Sequence, residues 1–66
     1  MKKYSVSIKG HQTSFSLEPE FWEALRAAAG QRKISVAKLV AGIDEGRKTN
    51  LSSALRVFLL NESRRP

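Results

Sequence analysis

The feature that most constrains the fold of this chain is a short segment, residues 12–17, in which polar and apolar positions alternate. The start of a helix follows it directly. The strand positions of one face are Thr13, Phe15 and Leu17, and those of the other face are Gln12, Ser14 and Ser16. One face is therefore suited to burial and the other to solvent. A lone strand leaves its backbone N–H and C=O groups unpaired, so it needs a neighbouring strand and helices over its apolar face. We expect a second copy of the chain to help supply them.

Size and charge narrow the possibilities further. The chain has 66 residues and no cysteine, which excludes disulfides and thiolate metal sites as supports for a small core. The single histidine, His11, is too little for a zinc site, and no cofactor or metal is expected. Oligomerisation remains as a source of stability. Twelve Lys and Arg residues against six Asp and Glu give a net charge of +6, which favours nucleic acid as a partner but also suits plain solubility.

The N-terminus indicates a cytoplasmic protein. The start Met1, Lys2, Lys3 is similar to the first part of a signal peptide, but a polar alternating segment follows instead of an apolar run. No later stretch approaches membrane-spanning length, so no membrane partner is expected. We therefore predict one domain over residues 1–66, with a frayed tail from residue 61.

The N-terminal segment predicts a β-hairpin. Residues 4–8 alternate as cleanly as residues 12–17. With Gly10 and His11 as the two loop residues, glycine occupies the first loop position of a type II′ turn, which requires a positive φ. The predicted facing pairs are Lys9 with Gln12, Ile8 with Thr13, Val6 with Phe15, and Tyr4 with Leu17. The alternative is a flexible basic arm that becomes ordered only on binding.

Apolar spacing and capping residues predict three helices. They cover residues 19–30, 36–45 and 51–61. Pro19 suits the first helical position, and Ser35 and Asn50 are favourable N-caps. The third helix is apolar on more than one side, because Val57 and Leu60 lie beside its main stripe. We expect this extra face to contact a partner subunit. The alternative is a membrane interface, against which stands the presence of only Arg56 as a basic residue in the helix body.

The order of strand, helix, tight bend and serine-capped helix resembles the ribbon-helix-helix superfamily of Arc- and MetJ-type repressors. The resemblance covers residues 12–44: residues 13–17 match the strand, Glu20, Phe21 and Leu25 the first helix, and residues 34–40 the second. With Gly10 and His11 before the strand and residues 50–57 after helix two, the chain is more particularly similar to a bacterial subfamily of small ribbon-helix-helix proteins.

The resemblance implies a mainly α fold with a short β-ribbon, built as an intertwined homodimer. The central strands of two copies would pair antiparallel above the helices, and this chain adds an N-terminal strand and a third C-terminal helix. The predicted dimer core consists of Phe15, Leu17, Phe21, Leu25, Leu39, Val40, Ile43, Leu55 and Phe58.

The resemblance also implies that the ribbon enters the major groove of double-stranded DNA. Gln12, Ser14 and Ser16 are then the candidates for base contact, and Gln can pair with adenine in bidentate fashion. Serine discriminates poorly between bases, so a plain solvated sheet surface is the alternative. If residues 4–8 pair beside each central strand, the resulting four-stranded sheet is wider than a groove of about 12 Å.

A second implied site is the start of helix two, where a DNA phosphate would bind the helix N-terminus. The phosphate-contact candidates are Arg32, Lys33, Ser35, Val36 and Lys38. Lys38 occupies the position at which a capping box has Glu. Lys33 occupies a position at which the family usually has glycine, and a positive φ there would cost the folded state about 1 kcal/mol. The alternative is a group of solvated basic side chains.

We therefore predict a dimeric DNA-binding protein that acts as a transcriptional regulator in the bacterial cytoplasm. The alternative is a protein-interaction module that uses the sheet face or the third helix and binds no DNA. An enzyme is not expected, because the sequence shows no nucleophile with a base, no paired carboxylates and no glycine-rich phosphate loop.

Overall fold

The computed structural model describes residues 1–64. The elements in chain order are β1 (Lys2–Ile8), β2 (His11–Leu17), α1 (Pro19–Gln31), α2 (Val36–Gly46) and α3 (Leu51–Ser63). The two strands form one antiparallel sheet, and the helices cover its apolar face. This architecture confirms the predicted mainly helical fold with a short sheet, an added N-terminal strand and a third helix. Within the described residues, no helix has the length and apolar character needed to span a membrane.

The hairpin forms, but in a register two residues away from the predicted one. Val6 lies opposite Thr13 instead of Phe15, and the loop residues are Lys9 and Gly10. Both have positive φ, 50° for Lys9 and 81° for Gly10, which matches a type I′ turn and not type II′. His11 is accordingly the first residue of β2 and not part of the turn. Because the shift is by two residues, every side chain keeps its predicted face.

The core lies between the sheet and the three helices. The buried hydrophobic residues are Phe15, Leu17, Leu25, Ala28, Ala29, Leu39, Val40, Leu51, Leu55 and Leu59. Of the residues predicted for the dimer core, Phe21, Ile43 and Phe58 are only half-buried and pack against this cluster. These half-buried residues leave part of their apolar surface exposed at the edge of the core.

The bend between α1 and α2 ends the first helix with a Schellman motif. The Ile34 N–H donates to the Ala29 carbonyl at 3.1 Å, and the Lys33 N–H donates to the Gly30 carbonyl at 3.1 Å. Lys33 has φ of 57°, the left-handed conformation in which glycine is favoured. Ser35 then caps α2, because its hydroxyl accepts the Lys38 N–H at 3.0 Å.

Helix α3 continues beyond its predicted end. It reaches Ser63 and not residue 61, so the predicted frayed tail is wrong at residues 61–63. Glu62 forms an ion pair with Arg32 at the end of α1, which gives the last turn of α3 a tertiary contact. Residues 65–66 of the predicted tail lie outside the described part of the chain.

Candidate nucleic-acid interface

The outer face of the sheet is polar along both strands. Its facing pairs are Lys3 with Ser16, Ser5 with Ser14, and Ser7 with Gln12. All six side chains are exposed except that of Ser16, which is half-buried. The Gln12 Nε2 donates to the Ser5 hydroxyl at 3.0 Å, so the amide is oriented across the two strands. The carbonyl oxygen of this amide keeps its capacity to accept a further hydrogen bond.

The β2 strand has an edge that no second strand covers within residues 1–64. In a hairpin with a two-residue turn, the pair that flanks the turn, here Ile8 with His11, exchanges backbone hydrogen bonds, and so does every second pair after it. The other residues of β2 direct their backbone N–H and C=O groups away from β1. These residues are Gln12, Ser14 and Ser16. The side chains of the polar face and the backbone groups of the free edge thus belong to the same three residues.

The start of α2 combines backbone donors with positive charge. Lys33, Ser35 and Lys38 are exposed, and Val36 is half-buried. The first turn of α2 contains no acidic residue. Among the described residues, no hydrogen-bond acceptor is bound to the Val36 N–H. The helix dipole and these two lysines therefore give the start of α2 an electropositive character.

Arg32 is separated from this group by its contacts. Its guanidinium donates to the Ala28 carbonyl at 3.2 Å, pairs with Glu62, and lies 5.2 Å from the centre of the Phe58 ring. The described contacts of Arg32 are thus with α1 and α3. The structure brings together Lys33, Ser35, Val36 and Lys38, and it uses Arg32 to hold the helices to one another.

A second ion pair lies where β2 meets α1. The Arg56 guanidinium donates to both carboxylate oxygens of Glu18, at 3.1 and 3.3 Å. The backbone N–H of Glu18 and the Arg56 guanidinium lower the pKa of this carboxyl below its ordinary value of 4.5. Glu18 therefore carries a negative charge at neutral pH, and Arg56 offsets it beside the sheet.

Sequence reasoning missed the contribution of β1 to the polar face. Lys3, Ser5 and Ser7 lie beside the three residues of β2 that were predicted to face DNA. The alternation of residues 2–8 contains this signal, because the odd positions 3, 5 and 7 are polar and the even positions 4, 6 and 8 are apolar. The hydrogen bond from the Ser16 N–H of β2 to the Ser52 hydroxyl has no such signal in the sequence.

The three helices also leave an apolar groove between α1 and α3. It has a volume of about 390 Å³, and its apolar walls include Phe21, Ala24, Val57 and Leu60. Val57 is 56% exposed and Leu60 is 49% exposed, which makes them the largest exposed apolar side chains of the described helices. Leu59 of the buried core also lines this groove.

A family model of the ribbon-helix-helix domain matches residues 1–63. This chain belongs to the ribbon-helix-helix family. The match confirms the resemblance noted from the sequence and extends it over β1 and α3. Ribbon-helix-helix domains are generally DNA-binding transcription regulators, and the fold is not known for enzymatic activity. Comparison with curated proteins found no match, and comparison with solved structures found none either.

Proposed function

We propose that this ribbon-helix-helix chain is a dimeric DNA-binding regulator. Two copies would pair through their β2 edges, and the polar face of the resulting ribbon would lie in the major groove. The observation that carries the proposal is that Gln12, Ser14 and Ser16 supply both the polar outer face of β2 and the backbone groups of its edge, where only the Ser16 N–H is bound by another part of the chain. The dimer would carry twice the charge of one chain, +6 for each copy, which suits a polyanionic partner. Such a regulator acts in the bacterial cytoplasm.

Phosphate contacts would come from the start of α2. The free N–H of Val36, the Ser35 hydroxyl, and the exposed side chains of Lys33 and Lys38 surround one helix N-terminus without a nearby first-turn carboxylate. Contacts of this kind set the position of a protein on the duplex but do not read its sequence. Base contacts would fall to Gln12 and the two serines of β2.

A salt-dependent DNA titration tests this proposal. We would measure fluorescence anisotropy of random-sequence duplex DNA at several salt concentrations for the wild type, for Lys38→Gln, and for Lys48→Gln as a control. Lys48 is exposed and lies after α2, away from its first turn. Each lost phosphate contact makes the negative slope of log K against log salt shallower by about 0.9, so Lys38→Gln should make it shallower by about 1.8 per dimer.

The titration separates two failures. Equal slopes for Lys38→Gln and Lys48→Gln would contradict the proposed phosphate site but not DNA binding. Absence of salt-dependent binding by the folded wild type would contradict the DNA-binding function itself.

Protein binding is the second candidate function. The groove between α1 and α3 supports protein binding, because Val57 and Leu60 expose apolar surface there. An exposed apolar patch of this kind is typical of a surface that contacts another protein. The two functions differ in what salt does to them. Apolar docking changes little between low and moderate salt, whereas phosphate-driven binding weakens steeply.

A further inference from the structure

One of the three backbone positions on the free edge of β2 is already occupied from within the chain. The Ser16 N–H donates to the Ser52 hydroxyl at 3.2 Å, and this contact is partly buried. Ser52 is the second residue of α3, so the first turn of this helix lies against the edge of the sheet. The edge positions Gln12 and Ser14 have no comparable contact from residues 1–64.

The Ser16 N–H is also the donor that a second β2 strand needs when the apolar residues of the two strands face each other. In an antiparallel ribbon between two β2 strands, the register is defined by the residue at the two-fold axis. Centring on Thr13 would place Phe15 opposite His11 of the second copy, an apolar residue against a polar one. Centring on Ser16 would place Phe15 opposite Leu17 of the second copy on the inner face. Centring on Phe15 would place Phe15 opposite its own copy and Ser16 opposite Ser14. Both registers that pair Phe15 with an apolar residue therefore require the Ser16 N–H to bond across the ribbon.

We propose that the Ser52 hydroxyl competes with the strand of a second copy for the Ser16 N–H, and thereby weakens the dimer. This inference rests on the proposed β2–β2 ribbon. In the monomer, Ser52 satisfies a partly buried donor that would otherwise lack a partner. In the dimer, a carbonyl of the second copy takes that donor, and Ser52 turns its hydroxyl away. Dimerisation then exchanges one hydrogen bond for another at the Ser16 N–H, so this position adds little to the free energy of dimerisation.

The position of Ser52 is fixed by its helix and not by its own bond alone. Asn50 caps α3, with its side-chain oxygen accepting the Ser53 N–H at 2.9 Å. One turn further along α3, Arg56 binds Glu18 just after β2. These two contacts hold the first turns of α3 beside the sheet. Removal of the Ser52 hydroxyl should therefore free the Ser16 N–H without detaching the helix.

The test compares dimer dissociation constants of the full chain by sedimentation equilibrium. Ser52→Ala should tighten the dimer by roughly 5- to 100-fold, because each of the two copies then gains one hydrogen bond on pairing. Ser53→Ala is the matched control, since its hydroxyl makes no hydrogen bond to the strand within residues 1–64. Ser52→Thr keeps a hydroxyl and should leave the dissociation constant close to that of the wild type.

An unchanged or weaker dimer in Ser52→Ala, with the wild type still dimeric, would overturn the role of Ser52 and leave the proposed ribbon intact. The same result in Ser53→Ala as in Ser52→Ala would also overturn it, because the effect would then belong to helix propensity. Monomers at every concentration in all variants, together with no DNA binding, would overturn both this inference and the proposed function.

Discussion

Replacement of Phe15 by alanine tests whether one aromatic cluster holds the hairpin to the helices. Phe15 is 4% exposed. The centre of its ring lies 6.2 Å from that of Tyr4 on β1 and 6.2 Å from that of Trp22 on α1. Tyr4 and Trp22 stack on each other, with ring centres 4.1 Å apart and planes 7° apart. The cluster therefore joins both strands to the first helix.

The expected loss is large compared with the total stability. A buried Phe→Ala substitution costs about 3–5 kcal/mol through lost transfer energy and the cavity that remains. A domain of this length has a total free energy of unfolding of about 3–10 kcal/mol. If the chain is a dimer, the substitution removes two copies of the ring, and the loss is about 6–10 kcal/mol. We expect Phe15→Ala to be largely unfolded at 25 °C.

Urea unfolding monitored by fluorescence measures this effect directly. Trp22 is the single tryptophan, so its emission reports on the cluster without interference from a second tryptophan. Val57→Ala is the control, because Val57 is 56% exposed and should change the stability of the isolated chain by less than about 0.5 kcal/mol. A loss of less than about 1 kcal/mol in Phe15→Ala would refute the reasoning, because a cavity in the core cannot cost so little.

Two further predictions concern backbone strain and charge. Lys33→Gly should raise the free energy of unfolding, measured in urea, by up to about 1 kcal/mol, because glycine adopts the φ of 57° at Lys33 without the steric cost of a side chain. Gln31→Gly, inside the last turn of α1, is the control and should lower the free energy of unfolding. Equal effects of the two substitutions would argue against strain at the bend. The lowered pKa of Glu18 means that its contribution to stability is present above pH 4.5 and is lost as pH falls through the folded-state pKa. Glu18→Gln should therefore flatten the dependence of Tm on pH below pH 4.5, and a wild-type slope that persists in the variant would assign it to another carboxyl.

The elements of the fold were predictable because their signals are local. The alternation before Leu17 and the caps at Ser35 and Asn50 depend only on residues within a few positions of each other. Both caps are formed in the structure, by the Lys38 N–H on Ser35 and the Ser53 N–H on Asn50. Periodicity and capping therefore located the helices to within one or two residues at each end.

The turn of the hairpin could not be predicted from local preference alone. Local preference disfavours a lysine at positive φ and places glycine at the first loop position. In the structure Lys9 adopts this unfavourable positive φ, and the two strands pair from Lys2 opposite Leu17 to Ile8 opposite His11. This register places Tyr4 opposite Phe15, within reach of Trp22. Tertiary packing therefore outweighed a local backbone cost of about 1–2 kcal/mol.

The candidate site was only partly predictable, because its limits are set by contacts distant in sequence. Arg32 lies next to the start of α2 in the sequence, yet it pairs with Glu62, thirty residues away. Ser16 was predicted from its side chain, whereas its backbone N–H is bound by Ser52, thirty-six residues away. No spacing rule links these pairs. Only the packing of α3 against α1 and β2 brings them together.

The presence of β1 limits how the proposed ribbon can meet DNA. Pairing through β2 gives a sheet with the order β1-β2-β2-β1, in which the outer strands are about 14 Å apart. Because the major groove is about 12 Å wide, only the two central strands fit inside it. Lys3, opposite Ser16 on the outer strand, would then lie over the groove wall, where the phosphates are. Short serine side chains in the groove and lysines at its walls favour strong salt dependence and weak discrimination between base sequences.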